Sequence, residues 1–223
     1  MRKRTIAAKV LRRLRHYAGR AAQRANGWYR RRELADAGLP GAHRVHTHMT
    51  ALELESLYDL AGEASNALEI GSYLGASSCT LAAALSMRGG RLYCVDTWAN
   101  ETMPEGERDT FAEFTRNTAG VASSITTIRR RSDELTENDV PLPLDLVFID
   151  GDHSYPAVKG DFEKVRGWLR EGGILAFHDA YFFEAVSRVV GEALATGRWQ
   201  LAGKADNLVW LRKVSAFPNP MSS

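Results

Sequence analysis

The residues with the clearest capacity for chemistry fall in two short strings, Asp150-Gly151-Asp152-His153-Ser154-Tyr155 and His178-Asp179. Each stands at the end of an apolar run of the kind that forms a buried strand, Leu144 to Asp150 and Gly173 to His178. The His178-Asp179 pair follows Asp150 by 28 and 29 residues, the length of one crossover helix, so the three side chains are expected to converge at the ends of neighbouring strands. Carboxylates brought together without a compensating cation repel each other and resist ionisation, and a divalent cation is the natural way to hold them. Oxygen donors suit Mg²⁺, whereas an imidazole suits Mn²⁺ or another transition ion better, so His178 is either a ligand or a residue standing behind the ligands. His153 comes three residues after Asp150 and can face the same cleft. An imidazole titrates near neutral pH and can take a proton there, although a lone histidine is more often structural. Asp152 alternates with Asp150 and reads first as a helix-start residue.

A second group surrounds a glycine turn. The run ending Glu69-Ile70-Gly71-Ser72-Tyr73-Leu74-Gly75 continues into Ala76-Ser77-Ser78. Glycines between a strand and a helix let backbone N–H groups approach a ligand, and the helix start favours its anionic end. Tight packing explains such a turn equally well. Two glycines four apart do not make G-x-G-x-x-G, so the dinucleotide fingerprint is missing. The next strand ends in Asp96, 25 residues after Gly71, where a carboxylate can accept from both hydroxyls of a ribose. Together the turn and Asp96 point to a nucleoside-containing cofactor. Tyr73, Trp98 and Tyr155 stand on strand-end loops, where each either stacks on a ligand ring or packs; Trp98, two residues after Asp96, is favoured for stacking.

The elements that must position these residues alternate. Strands are expected at Ala67 to Gly71, Arg91 to Asp96, Ile125 to Arg129, Leu144 to Asp150 and Gly173 to His178, with Trp199 to Ala202 and Leu208 to Arg212 closing as a hairpin around Asp206-Asn207. Helices are expected at Ser77 to Met87, Asp109 to Thr118, Ala157 to Leu169 and Glu184 to Ala195. This order implies parallel βαβ units in an α/β, doubly wound sheet, with ligands bound beyond the carboxyl ends of the strands. Residues 1–62 read as a basic helical or lid segment and residues 63–215 as the catalytic domain.

Composition supports one ordinary globular domain: 223 residues, 44% hydrophobic and 25% charged, which argues against disorder. No apolar run is long enough to cross a bilayer, and Cys79 and Cys94 lie inside apolar segments, so a cytoplasmic setting without disulfides is expected. The first 32 residues hold 12 of the 29 Lys+Arg and no acidic residue, leaving 17 basic against 27 acidic in the rest. Ile6, Val10, Leu14, Tyr17 and Ala21 give this start an amphipathic stripe. It suits packing on its own domain or in a homodimer first, and an anionic lipid, a nucleic acid or an organellar import route second. His43, His46 and His48 read as a polar loop that forms a lid over the cofactor more readily than a zinc site.

On these motifs, about residues 66 to 180 resemble class I S-adenosylmethionine-dependent methyltransferases, in which one strand ends E/D-x-G-x-x-x-G and the next in an acidic residue. The resemblance implies a mostly parallel seven-stranded Rossmann-like sheet with helices on both faces. It places S-adenosylmethionine against Glu69, Gly71, Tyr73, Gly75, Asp96, Trp98 and Asp150, with Ser77 at the methionyl carboxylate and Ser132-Asp133 at the adenine. The D-G-D-H-S-Y string followed by a strand ending H-D is similar to the metal-dependent O-methyltransferases that act on macrolide sugars and methylmannose polysaccharides. That likeness implies Mg²⁺, with Mn²⁺ or another divalent ion as the alternative, at Asp150, His178 and Asp179, with His153 as general base. The implied acceptor is a sugar hydroxyl, on a mannoside, an oligosaccharide or a deoxysugar, followed by a catechol-like small molecule. A nucleic-acid acceptor is disfavoured by the acidic remainder of the chain and the missing D/N-P-P-Y string. An oxidoreductase lacks its third glycine, and a non-catalytic module has no reason to keep Asp150, His153 and Asp179.

Overall fold

The computed structural model describes residues 42–101 and 106–215, with the His43 side chain excepted. The basic amphipathic helix, the tail from Phe217 and part of the loop from Asn100 to Arg108 lie outside the described residues. Helix α1 (Ala51–Ala61) precedes β1 (Asn66–Ile70), α2 (Ala76–Ser86), β2 (Arg91–Asp96), α3 (Phe111–Asn117) and β3 (Ile125–Arg129). There follow β4 (Leu144–Ile149), α4 (Tyr155–Trp168), β5 (Leu169–Phe177), α5 (Glu184–Ala195), β6 (Trp199–Ala205) and β7 (Leu208–Lys213).

The seven strands run in the order β3-β2-β1-β4-β5-β7-β6. Strands β1 to β5 pair in parallel, whereas β7 is antiparallel to both β5 and β6. Both faces of the parallel strands are covered, and consecutive residues feed opposite cores. Val147 and Ile149 of β4 pack with Val158, Phe162 and Val189 of α4 and α5. Leu146 and Phe148 pack with Leu54, Leu57, Leu81 and Leu85 of α1 and α2. Such two-sided burial explains why β4 is an uninterrupted apolar run rather than an alternating one.

The order in which strands are added reverses between β1 and β4, and here the backbones close up. Asp150 N donates to Ile70 O at 2.8 Å, and His178 N donates to Ile149 O at 3.0 Å. Gly71, at φ +86°, lies so close to this crossing that a β-carbon would collide with the Asp150 carbonyl oxygen, so only glycine fits. The strand ends that carry the predicted chemistry therefore meet at the topological switch point.

Three differences from the sequence reading have local causes. Strand β5 starts at Leu169, earlier than expected, because Leu169 pairs with Leu144 before a register shift. The chain after α3 tightens into a 3-10 turn, Ala119–Ser124. The third concerns α1, which a boundary after residue 62 assigns to a separate segment. Its Leu54, Leu57 and Ala61 are fully buried in the core. Helix α1 is thus part of the catalytic domain, opened by a capping box in which Thr50 and Glu53 satisfy each other's backbone N–H groups.

Candidate active site

At the carboxyl ends of β4 and β5 the structure brings Asp150, His153, His178 and Asp179 together. Asp150 is the first residue after β4, and His178-Asp179 follow β5 directly. One ligand atom each from Asp150, His153 and Asp179 lies within 4.8 Å of the others, a spacing that fits a metal ion. The His153 ring approaches from the more open side, with Nε2 3.3 Å from Asp179 Oδ2 and 3.7 Å from Asp150 Oδ1. Its ring lies flat on Phe183, 4.2 Å between centroids and 4° between planes. From the buried side, His178 directs Nδ1 at Asp150 Oδ1 (3.2 Å) and Asp179 Oδ2 (3.4 Å). Asp179 has φ +55°, a left-handed conformation that costs on the order of 1 kcal/mol and turns its carboxylate towards Asp150.

The electrostatics follow from this crowding. Burial disfavours the charge of Asp150, yet the adjoining imidazoles of His178 and His153 override it and draw its pKa down to about 2. Burial likewise opposes charge on His178, but Asp150, Asp179 and Glu53 push its pKa up to about 12. Two carboxylates therefore demand a positive partner between them. Nε2 of His153 and both ring nitrogens of His178 are buried and, among the described residues, make no hydrogen bond of good geometry. Carboxylate oxygens with imidazole nitrogens turned towards them are a donor set that fits a divalent cation, which would displace the imidazole proton on binding.

The glycine loop forms the adjoining half of the cleft. Asp96 is its buttress: Oδ2 accepts from the backbone N–H groups of Ser72 and Tyr73, both at 2.8 Å, and Oδ1 accepts from Trp98 N at 2.7 Å. An ionised carboxylate offers about four acceptor sites, so about one remains for a ribose hydroxyl where two bonds were expected. Gly75, at φ +91°, opens α2, whose first amides have no partners within the helix. Tyr73, itself at φ +45°, places its ring near His46 and His48, with centroids 6.4 and 6.3 Å away.

Two residues expected to touch the cofactor are placed elsewhere. Glu69 is fully buried beneath the loop, accepting from the Ser72 hydroxyl at 2.8 Å and from that of Ser78. Burial raises its pKa against the pull of the Ser77, Ser78 and Ser72 hydroxyls, so Glu69 anchors the loop from within. Trp98 is also fully buried, 4.9 Å from Phe111 and 4.8 Å from Phe114 between ring centroids, and offers no face to a ligand. Ser77 sits in the first turn of α2 with its hydroxyl beside Glu69. Ser132 and Asp133 form the turn after β3, where Lys164 Nζ donates to both carbonyl oxygens at 2.8 and 2.6 Å. Arg131 pairs with the exposed Asp133 carboxylate and lowers its pKa. Asp152 accepts from Ser154 N at 2.7 Å, as suits a helix start. Tyr155 packs, donating its hydroxyl to Glu192 with Arg188 stacked over the ring.

The sequence reading missed Glu53 and Asp161. The Thr50-x-x-Glu53 box carried a signal for the first. Asp161 is the one acidic residue among the buried residues of α4. Burial pushes its pKa up to about 6 against the Ser132 hydroxyl and Lys164, with Asp133 and Asp152 adding to the rise. A carboxyl whose pKa rises on folding is best tolerated at low pH; stability falls as pH climbs from about 4 through 6, by about 3 kcal/mol in total. Asp161→Asn is therefore expected to stabilise the fold at pH 8 and to change it little near pH 4. Urea unfolding at the two pH values tests this; a variant no more stable than the parent at pH 8 refutes it.

The arrangement defines a class, a methyltransferase sheet with its ligand cleft at the β1–β4 switch point. A methyltransferase-domain family profile matches residues 68–180, half of the chain, and the chain belongs to that family. Solved structures share the fold. The O-methyltransferase TomG of Streptomyces achromogenes, involved in tomaymycin synthesis and bound to S-adenosylmethionine, is 21% identical at a TM-score of 0.56, over 82% of this chain and 90% of that one. An O-methyltransferase from Bacillus cereus in complex with S-adenosylhomocysteine is 20% identical at 0.57, over 81% and 87%. CalS11, a TDP-rhamnose 3'-O-methyltransferase of calicheamicin biosynthesis, is 19% identical at 0.51, over 72% and 77%. Among the described residues no helix is long and apolar enough to cross a membrane.

Proposed function

We propose that this chain is an S-adenosylmethionine-dependent O-methyltransferase that uses a divalent cation to methylate a sugar hydroxyl, on a mannoside or a deoxysugar. The observation that carries the proposal is the meeting of Asp150, His153 and Asp179 at one point of the cleft. The shared fold with TomG and CalS11 supports the cofactor and the sugar class respectively.

Asp150 and Asp179, with His178 Nδ1 behind them, would hold the cation. When bound, it supplies a Lewis acid that grips neighbouring hydroxyls of the acceptor and lowers the pKa of the one that reacts. The glycine loop and Asp96 would hold the nucleoside end of the cofactor, and the start of α2 its carboxylate. Bound S-adenosylmethionine would supply the methyl group, its S–CH3 bond giving way to an O–CH3 bond on the acceptor with S-adenosylhomocysteine leaving, while His153 Nε2 would take the hydroxyl proton. For this the neutral ring must carry its hydrogen on Nδ1, leaving Nε2 as the acceptor. Tyr181 and Phe182, 59% and 73% exposed, follow Asp179, and Phe182 contacts the Phe183 ring that stacks on His153, so this aromatic edge would give the acceptor an apolar wall.

That wall also favours a second reading, a catechol-like acceptor whose ring lies on Phe182. A methyl-transfer screen over mannosides, nucleotide deoxysugars and catechols, with and without EDTA, separates the two. Transfer to a sugar that EDTA abolishes is the expected result. Transfer to catechol alone selects the second reading, and transfer insensitive to EDTA overturns the metal.

A further inference from the structure

Behind the proposed metal residues stands a polar relay that reaches back to α1. Glu53 is 1% exposed, and its two oxygens are fixed from three directions. Oε1 accepts from Asn207 N at 2.8 Å, and Oε2 accepts from Thr50 N at 2.6 Å while lying 3.3 Å from His178 Nε2. His178 is 4% exposed, and its other nitrogen faces Asp150 and Asp179.

Nε2 and Glu53 Oε2 lie 3.3 Å apart without a hydrogen bond of good geometry, and because an ionised carboxylate can only accept, this contact favours a hydrogen on Nε2. Nδ1 then points between two carboxylate oxygens, where either its own proton or a metal ion can sit; a cation bound there takes the Nδ1 lone pair and the proton leaves to solvent. A carboxylate behind a histidine fixes the tautomer and makes the nitrogen a better donor. We infer that Glu53 is a positioning residue that holds His178 Nδ1 as a metal ligand, and that this nitrogen biases the site towards a transition ion such as Mn²⁺ over Mg²⁺. The inference rests on the metal site proposed above and adds to it the choice of ion. All-oxygen sites suit Mg²⁺; an imidazole ligand shifts preference along the transition series.

The test is metal binding by the metal-stripped full chain without substrate, with free Mn²⁺ counted by electron paramagnetic resonance and Mg²⁺ followed by calorimetry and competition. The parent is expected to bind Mn²⁺ at least about tenfold more tightly than Mg²⁺. Glu53→Gln is expected to weaken Mn²⁺ binding by about 10- to 100-fold with much less effect on Mg²⁺. His178→Asp, which restores an all-oxygen set, is expected to erase the preference. Thr50→Ala is the control for α1: it removes the capping hydroxyl without touching His178, and should lower the melting temperature while the ion preference persists. Equal affinity for the two ions in the parent overturns the inference, as does a Glu53→Gln variant that loses both ions equally or neither. A parent that binds no divalent ion overturns the metal-dependent mechanism as well, whereas one that prefers Mg²⁺ removes only the role of Glu53 and His178.

Discussion

Asp150→Ala is expected to yield a folded protein that has lost divalent-cation binding and at least about a thousandfold in methyl transfer. The estimate follows from position. Asp150 Oδ1 is, with Asp179 Oδ2, one of two oxygens on which both imidazoles converge, at 3.2 Å from His178 and 3.7 Å from His153. The pKa of Asp150 is drawn down to about 2 by those neighbours despite its burial. Metal polarisation of a reacting oxygen contributes several kcal/mol, and each 1.4 kcal/mol is about a factor of ten in rate. The fold should survive, because the β1–β4 crossing uses the backbone of Asp150: its N–H donates to Ile70 O, and its carbonyl packs against Gly71. Calorimetry with Mn²⁺ and Mg²⁺, thermal unfolding and turnover with and without EDTA give the three readouts. An Asp150→Ala variant whose turnover is still stimulated by added metal would show that the cation is held elsewhere.

How much of this site was legible in the sequence depended on how far each residue acts along the chain. Asp150, His153 and Asp179 could be placed because strands β4 and β5 announce themselves as apolar runs, and the residue ending such a run in a doubly wound sheet faces the cleft. Gly71 was legible for the same reason, as was the hairpin at Asp206-Asn207, where Asp206 adopts φ +47°. Side-chain direction was not legible. Glu69 and Trp98 occupy positions next to the cleft, yet one turns inward to three serine hydroxyls and the other into the Phe111–Phe114 cluster. Neither period nor spacing distinguishes a strand-end residue that points into solvent from one that points into the core. Glu53 was hidden for a different reason: it lies 125 residues before His178, on a helix whose capping box reads as purely local. Only the folded structure shows that the carboxylate which closes the start of α1 also touches an imidazole at the end of β5.

His153→Ala tests a separate element of the chemistry, because this ring is the more open of the cluster's two imidazoles. Its side chain is 27% exposed against 4% for His178, and it is steadied by the face of Phe183 rather than by a second carboxylate behind it. A ligand histidine usually has such an outer partner, as His178 has in Glu53; a base must instead be free to take up and release a proton. The variant is expected to bind S-adenosylmethionine and Mn²⁺ within a few-fold of the parent and to lose at least about 100-fold in turnover, the lower end of what general-base catalysis contributes. Phe183→Ala keeps the base and removes its support, so its loss should be smaller, about fivefold, consistent with a ring contact of about 1 kcal/mol. Near-normal turnover in His153→Ala would remove His153 from the reaction. Loss of Mn²⁺ binding together with turnover would instead make it a fourth ligand, leaving proton removal to a carboxylate or to solvent.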